Sequence, residues 1–572
     1  MNKRWVVRDN PDHDDVRNLA AALNIDTILS TLLIHRGIKT FEDARLFFRP
    51  DSRHLHDPFL MAGMEQAVLR IEGAMAAGEK ILIYGDYDVD GTTAVSLVYS
   101  FFNKYYDKLD YYIPDRYLEG YGISAKGIDY AADNNFTLII ALDCGIKSVD
   151  KVAYGSTRGI DFIICDHHLP GDELPAAVAI LDPKQAHCEY PYKELSGCCI
   201  GFKLIQAYAE KNDIPFSEIE CYLDLVAISI ACDIVHITGE NRVLAHLGLQ
   251  KINNDPCMGV KMLMEVAGRG KHYTISDVVF LLGPRINAAG RIDHARHAVE
   301  LLINTGLEAA AEKSELINTH NTERKGHDLQ ITEEALAMIE ADDELITRKS
   351  TVVFNEQWNK GVIGIVASRL TEKYYRPTIV LTRSNGHVAG SARSVAGFDL
   401  YEALCGCSDL LIQFGGHRYA AGLTMHPENL PAFINRFEEV VSATIKPEQL
   451  IQQIQIDAEL RLSQLDAKFF RVLKQFAPFG PENMAPVFLS KNVYVCGVPN
   501  IVGQNHVKMT VMQDDSAMFD CIAFGHGEYV PKMANGARFD MCYTIEENVW
   551  KERRTIQLNV KGIRFSEQRL AD

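Results

Sequence analysis

Five short apolar runs punctuate residues 81–181, each followed by polar or charged residues: Ile81–Gly85, Tyr111–Pro114, Leu138–Leu142, Phe162–Cys165 and Val178–Leu181. Runs of this length, rich in aliphatic and aromatic residues, predict buried strands. Helical segments fall between most of them, as in "TTAVSLVYSFFNKYY". Strand and helix in alternation predict a parallel α/β sheet. Residues 1–70 read as short helices with a turn at "RPDSRHLHDP", and residues 220–265 read as helical. Residues 306–345 read as one or two long, charged helices, the expected connector between two lobes. A second α/β unit starts near Ser350, with strands Thr351–Phe354 and Thr378–Leu381. Beyond Gln452 the chain turns strand-rich, from "PVFLSKNVYVCGVPN" to "TIQLNVKGIRF", which suggests a small antiparallel barrel. Five strands fit an OB-like domain. The expected divisions are therefore an N-terminal helical segment (1–70), an α/β domain (71–305), the connector (306–345), a second α/β domain (346–448) and the OB-like domain (449–572).

Composition narrows the function classes. A chain of 572 residues is too long for one core. Its 58 basic and 76 acidic residues give a net charge of −18, which argues against a general nucleic-acid coat but leaves room for a local basic groove. The 13 cysteines include no C-x-x-C pair, so reduced thiols and a cytoplasmic location are expected. The N-terminus carries no apolar core of a secretory signal. No apolar run reaches membrane-spanning length; the richest, Leu223–Ile237, is interrupted by Asp224 and Asp233.

The chemistry gathers where the first strands end. In "ILIYGDYDVDGTTA", Asp86, Asp88 and Asp90 alternate, with Gly91 directly after. A calcium loop of the EF-hand type needs a bidentate Glu at its twelfth position, which here is Leu97, and a helix before it, where this chain has a strand. In an extended chain, alternate side chains share a face, so the three carboxylates would converge. Like charges that close raise one another's pKa unless a cation intervenes; the plain alternative is a solvated acidic turn. "LIIALDCGI" delivers Asp143, and "FIICDHHLP" delivers Asp166, His167 and His168. Ligands of open parallel sheets sit beyond the carboxyl ends of the strands. Carboxylates and imidazoles without thiolate point to Mn²⁺ or Mg²⁺ before zinc. If the strand stays regular, His167 and His168 face opposite ways and do not share one ion. Asp224 and Asp233 are nine positions apart and fall on opposite helix faces at about 100° per residue, so at most one reaches the site. Asp233, after a small apolar stretch, is the better candidate; a cap is its ordinary alternative. Cys144 and Cys165 read as core residues.

With those residues in view, "DYDVDG", "LDCGI", "CDHH" and "ACDIV" resemble the successive motifs of the DHH phosphoesterase superfamily. "PDRYLEGYGIS", "GPRINAAGRID", "GVIGIVASRL", "GSARS" and "GGHRYAAG" resemble, in order, the bacterial RecJ single-stranded-DNA-specific exonucleases. The likeness runs from "HRGIKTFEDARLFF" to the barrel, almost the whole chain. It implies a parallel-sheet DHH domain, a helical connector, a DHHA1 domain and an OB-like nucleic-acid-binding domain. It implies a two-metal hydrolase that degrades single-stranded DNA from the 5′ end to mononucleotides, in repair and recombination. By motif, Asp88, Asp90, Asp143, His167 and Asp233 would ligand two Mn²⁺ or Mg²⁺ ions, with Asp143 bridging them. Asp86 would stand at the edge of the site as a ligand or base, and His168 would contact the scissile phosphate. Asp166 reads as a buried partner that orients this turn. Arg116, Ser391 and Arg393 would hold a terminal phosphate; Arg offers a planar fork for its oxygens. Gly415 and Gly416 would let the backbone approach the substrate, and His417 would touch phosphate near the scissile bond. Arg285, Asn287 and Arg291 would line the site. Where the family commonly has a histidine after the tryptophan, this chain has Trp358-Asn359, which cannot titrate as histidine does.

The expected partners are single-stranded DNA with a 5′ end, and a helicase and single-strand-binding protein that deliver it; a monomer is expected. Within the superfamily the alternatives are a phosphodiesterase for short oligonucleotides or cyclic dinucleotides, and a manganese pyrophosphatase. Outside enzymes, the alternative is a DNA-binding scaffold that has lost its ligands; here every acid and histidine of the set remains.

Overall fold

The computed structural model describes residues 3–268, 272–514, 516–550 and 553–565. They divide into two compact units, one of Met1–Leu55, His236–Val243 and Gln453–Asp572, the other of His56–Val235 and Leu244–Gln452. No helix among the described residues is long and apolar enough to cross a membrane.

After a first helix, Met64–Ala77, the larger unit holds β1 (Lys80–Gly85), α1 (Val89–Phe102), β2 (Leu109–Tyr112), β3 (Phe136–Leu142), β4 (Asp161–Cys165) and β5 (Ala179–Leu181). The strands form one parallel sheet in the order β2-β1-β3-β4-β5. Its residues are almost wholly buried, which a parallel sheet covered on both faces requires. The register fixes the site. Gly85 pairs with Leu142, Leu142 with Cys165, and Cys165 with Leu181. The next residue on each strand is an aspartate: Asp86, Asp143, Asp166 and Asp182.

Around this sheet stand α2 (Gly197–Lys211), α3 (Leu223–Cys232) and α4 (Gly283–Ile292). The charged segment is one 34-residue helix, α5 (Leu307–Glu340), about 50 Å long at its rise per residue. It is tied to α4 by Arg285, whose Nε donates to Asn318 Oδ1 at 3.1 Å. Further along, Arg369 of α6 (Ile363–Tyr374) donates to Asp328 Oδ2 at 2.7 Å. Ile331, Ala335 and Ile339 of α5 pack with Val353, Trp358, Val366 and Leu370.

The second sheet is larger than the sequence pattern suggests. To β6 (Thr351–Phe354) and β7 (Thr378–Ser384) it adds β8 (His387–Arg393), β9 (Gln413–His417) and β10 (Ala420–Met425). The order is β9-β10-β8-β7-β6, with β6 and β7 parallel and the rest antiparallel. The added strands hold Gly390, Gly415, Gly416 and Gly422, and glycine weakens the strand pattern. β9 is an edge strand, so its Gly415, Gly416 and His417 stand exposed.

In the other unit, Arg4–Val7 forms a strand that pairs in parallel with Gln453–Ile456, where the sequence pattern gives helices only. Leu19, Leu29, Leu32 and Leu33 of the N-terminal helices share a core with Phe469, Phe488, Val507 and Tyr543 of the barrel. The first 55 residues thus group with the C-terminal barrel in one compact unit. Arg242 stitches this unit, donating to the backbone carbonyls of Phe47, Gln475, Phe476 and Ala477. The barrel sheet has seven strands rather than five; the extra two are the short Ala458–Glu459 and Asn500–Val502.

Candidate metal centre and phosphate pocket

The three aspartates of "DYDVDG" converge, but not as an extended chain. β1 stops at Gly85 and α1 starts at Val89. Asp86 lies in the turn, Asp88 is the N-cap of α1 and accepts the Gly91 N–H at 3.1 Å, and Asp90 lies in the first helical turn. Strand, turn and helix start bring them together, with a helix N-terminus behind them that favours negative charge. Asp90 is pinned from two other helices, α2 and α3: its carboxylate accepts the N–H of Gly197 at 2.6 Å, the N–H of Cys198 at 2.8 Å and the Ser229 hydroxyl at 2.6 Å.

Asp143 leaves β3 with φ at 59°, in the left-handed region, a strain typical of functional sites. Its Oδ1 lies 3.3 Å from His167 Nε2, which is 3.4 Å from Asp233 Oδ2 and 3.8 Å from Asp90 Oδ2. Asp233 therefore joins the cluster, while Asp224 turns away to accept the Cys257 N–H at 2.6 Å. Two groups of three donors meet metal-holding geometry, Asp143–His167–His168 and Asp90–His167–Asp233. A single imidazole nitrogen serves one ion, whereas a carboxylate has two oxygens to share. Asp143 is the most crowded: burial raises its pKa far above the carboxylate range, and Asp90, Asp88, Asp233 and Asp86 push it further. That centrality suits the bridge. Burial and neighbouring carboxylates also raise Asp86, Asp88 and Asp233.

The residues fit divalent metal ions. Asp86 Oδ2, Asp233 Oδ2 and both His167 nitrogens are buried without a hydrogen-bond partner, and buried polar atoms without partners are costly. The donors are oxygen and imidazole nitrogen, the set that suits Mn²⁺ and Mg²⁺.

His167 and His168 do not face opposite ways. β4 ends at Cys165, and a turn follows, organised by Asp166. Its Oδ1 accepts the N–H groups of His167 (2.8 Å) and His168 (3.2 Å), and its Oδ2 accepts that of Ile146 (2.9 Å). The two imidazole rings sit 4.5 Å apart. His168 Nδ1 donates to Asp166 Oδ1 at 2.7 Å. Burial opposes charge on His168, but the Asp166 carboxylate outweighs it and raises the imidazole pKa. Asp166 in turn is buried yet held down at about 2, chiefly by this bond.

Basic groups gather beside the acids. Arg116 lies 4.0 Å over the Tyr87 ring and lowers the pKa of Asp86 and Asp88. Arg393 Nη1 donates to Ser391 Oγ at 3.0 Å, both on β8. Burial pulls the His417 pKa down, and the nearby positive Arg393 and His168 pull it further, so the end of β9 lies on the same side as these two residues. Arg291 donates to the Gly361 carbonyl at 2.7 Å. Arg285 is spent on Asn318 and the Leu281 carbonyl. Neither it nor Asn287, whose Oδ1 is buried without a partner, has a contact with the acid cluster among the described residues. Asn359 holds the turn before α6: its Oδ1 accepts the Gly361 N–H at 2.8 Å.

Two residues escape the sequence reading. Asp182 is fully buried, with Oδ2 unpartnered, and burial raises its pKa to about 7; the signal was an apolar strand ending in aspartate. Arg324, on the connector, lies close enough to Arg291 to depress it. Gly197 also matters. A Cβ there would sit 2.6 Å from Asp143 Cβ, so Gly197→Ala is expected to shift Asp143 and lower kcat about 10–100-fold, read by steady-state kinetics; unchanged kcat would show that Asp143 tolerates displacement.

A hard-metal centre beside a cation-lined hollow defines the chain as a DHH-type phosphoesterase. The DHH family N-terminal domain matches residues 80–230, the DHHA1 domain 348–443 and the RecJ OB domain 456–562. The single-stranded-DNA-specific exonuclease RecJ of Bacillus subtilis (strain 168) is 38% identical over 573 residues, covering 100% of this chain and 72% of that protein. The Escherichia coli (strain K12) exonuclease of the same name is 31% identical over 527 residues, covering 88% and 90%. The crystal structure of RecJ in complex with Mn²⁺ from Thermus thermophilus superposes with a TM-score of 0.84 at 25% identity, covering 98% of this chain and 79% of that one. The chain belongs to the RecJ family of single-stranded-DNA-specific exonucleases.

Proposed function

We propose that this chain degrades single-stranded DNA from its 5′ end to mononucleotides, with two Mn²⁺ or Mg²⁺ ions, in DNA repair and recombination. The observation that carries the direction is the meeting of two opposite charge clusters within one unit. Carboxylates crowd around Asp143, guanidiniums crowd around Arg291, and Arg116 acts on the acids and on Arg291 alike. A terminal phosphate in the basic hollow sets the next phosphodiester against the acids. An internal phosphate has no free end to place there.

Asp88, Asp90, Asp143, His167 and Asp233 would hold the ions. When bound, these supply Lewis acidity to the attacking and leaving oxygens of an in-line displacement. His168, whose imidazole pKa the Asp166 carboxylate raises, donates to a non-bridging phosphate oxygen and so favours the charge that grows in the transition state. Ser391, Arg393 and Arg116 orient the strand by its terminal phosphate. His417 reaches the same region from the edge strand β9, whose Gly415 and Gly416 leave room for substrate backbone. The OB-like barrel grips the incoming strand through stacking and positive charge. A cytoplasmic monomer served by a helicase and a single-strand-binding protein completes the reading.

The test is digestion of a 3′-labelled oligodeoxynucleotide in Mn²⁺, beside its duplex. A ladder shortening from the 5′ end of the single strand alone is expected. An intact oligomer, with only dinucleotides cleaved, would replace this reading by a short-oligonucleotide phosphodiesterase.

A further inference from the structure

Ile234, directly after Asp233, is out of keeping with its own backbone. Helix α3 ends at Cys232, and Asp233 stands at its C-cap, still in helical conformation. Ile234 then turns into the left-handed region, with φ at 60°. A helix that stops this way ordinarily has glycine there, and at times asparagine. A side chain branched at Cβ is a genuine outlier in that conformation. Most of the described non-glycine residues with positive φ are asparagine or aspartate, and Ile234 alone among them is branched at Cβ. The turn has a plain reason, since it ends the helix with the Asp233 carboxylate 3.4 Å from His167 Nε2. Glycine would make the same turn with less strain. Packing does not ask for isoleucine either, because the residue is 73% exposed. Strained residues cluster where function holds them, and what this one offers is an aliphatic side chain held out to solvent beside a carboxylate of the metal centre.

Two further apolar side chains stand exposed along the same cluster. Leu169 follows His168 directly and is 69% exposed. Tyr121 is 55% exposed; its hydroxyl donates to the Asp143 carbonyl at 3.0 Å and lies 3.3 Å from His168 Nε2. The contacts run without a break, from Asp233 to His167, from His167 to His168 with ring centroids 4.5 Å apart, and from His168 to Tyr121 with centroids 5.9 Å apart. Ile234 and Tyr121 therefore stand at the two ends of this run, and Leu169 stands beside its middle. Divalent hard metals take oxygen and nitrogen donors and draw nothing from aliphatic neighbours. A nucleic-acid substrate does. A phosphodiester at the acids carries a nucleoside on each side, and every base has a face that packs on apolar side chains whatever its identity. Adjacent Cα atoms are about 3.8 Å apart, so a side chain one residue beyond Asp233 is placed to meet the nucleosides joined at the scissile phosphate.

We propose that Ile234, with Leu169 and Tyr121, packs against the base next to the scissile phosphate and so sets the phosphodiester over the acids. The inference rests on the reading of Asp233 and His167 as metal-centre residues that face a phosphodiester. It is separate from the grip on a terminal phosphate: that grip holds an anion, and this margin holds an apolar face. An aliphatic side chain makes no hydrogen bond to a base edge, so the contact is indifferent to sequence. The strain at Ile234 is retained for this contact.

The experiment measures single-turnover kcat/KM of the full chain for the first cleavage of one single-stranded oligomer, and of the same oligomer with its two 5′-terminal nucleotides made abasic. Wild type, Ile234→Gly, Ile234→Asn and Leu169→Ser are compared, with Tm in EDTA beside the rates. The base-to-abasic ratio is expected to fall about tenfold in both Ile234 variants and about threefold in Leu169→Ser. Tm is expected to rise in Ile234→Asn, since asparagine tolerates the left-handed turn. An unchanged ratio in both Ile234 variants overturns the inference. With both rates intact, the side chain is idle; with both lowered alike, it serves only the turn that aims Asp233. A fall in Tm in Ile234→Asn overturns it too, because the side chain would then be held by packing. If the wild type leaves the oligomer intact and cleaves only dinucleotides, the exonuclease reading fails, and the same ratio on a dinucleotide with and without its bases still decides this inference.

Discussion

Asp143→Asn is expected to abolish turnover and, at the same time, to make the metal-free protein more stable. The substitution keeps shape and backbone: Asp143 sits at φ 59°, and asparagine tolerates that left-handed conformation better than most residues. What changes is charge. The carboxyl is 2% exposed and faces Asp86, Asp88, Asp90 and Asp233. Without ions, burial first and these neighbouring acids second make the ionised form of Asp143 costly in the folded state. Asparagine carries no such cost, and a gain of about 1 kcal/mol corresponds to about 2–4 °C in Tm for a domain of this size class. With ions, the same change removes the most central carboxylate of the cluster that would hold them, and kcat in Mn²⁺ should fall by at least about 10³-fold. The rise in Tm that Mn²⁺ gives to the wild type should shrink in the variant, since ligand stabilisation follows affinity for the folded state. Thermal melts in EDTA and in Mn²⁺, beside steady-state rates, read all three effects. Turnover within tenfold of wild type, or a lower Tm in EDTA, would remove Asp143 from the centre.

The acids were legible because each follows an apolar strand, and the parallel register carries the strand ends to one line. Helical phase admitted only one of Asp224 and Asp233 to the site, and the small apolar stretch before Asp233 singled it out. Other features depend on what a linear pattern does not carry. Asp86, Asp88 and Asp90 look like an alternating strand but meet through a strand, a turn and a helix start. His167 and His168 share a side because Asp166 ends the strand and rebuilds the turn with its own carboxylate. The strands β8 to β10 are rich in glycine and small residues, so their propensity is weak and only pairing reveals them. The strand Arg4–Val7 finds its partner some 450 residues away at Gln453–Ile456, a distance at which no local signal exists. Asn359 shows the same limit from the other direction. Its departure from the family's histidine removes a titrating group, yet its side chain makes a turn, fixing Gly361 where Arg291 can hold it.

Asp166→Asn is expected to lower both activity and stability, the opposite sign on the fold from Asp143→Asn. Both are buried aspartates at the end of adjacent strands, so burial and position do not distinguish them; partners do. Asp166 receives four hydrogen bonds, from the N–H groups of His167, His168 and Ile146 and from His168 Nδ1. These hold its pKa at about 2 despite burial. Asparagine presents an NH₂ group where one carboxylate oxygen accepted, so donors meet donors on one side whichever way the amide turns. Leaving such buried donors unmet, together with the loss of a charged partner, costs about 3 kcal/mol, and Tm should fall in EDTA and in Mn²⁺ alike. His168 loses the carboxylate that raises its pKa, and the turn that aims both imidazoles loosens. A fall in kcat of about 10²–10³-fold is expected. If the ions are held mainly by other residues, Mn²⁺ should still raise the Tm of Asp166→Asn about as much as that of the wild type, where its effect shrinks for Asp143→Asn. Equal responses of the two variants to Mn²⁺ would mean that Asp166 is itself a ligand and that the division between holding the metal and holding the turn is wrong.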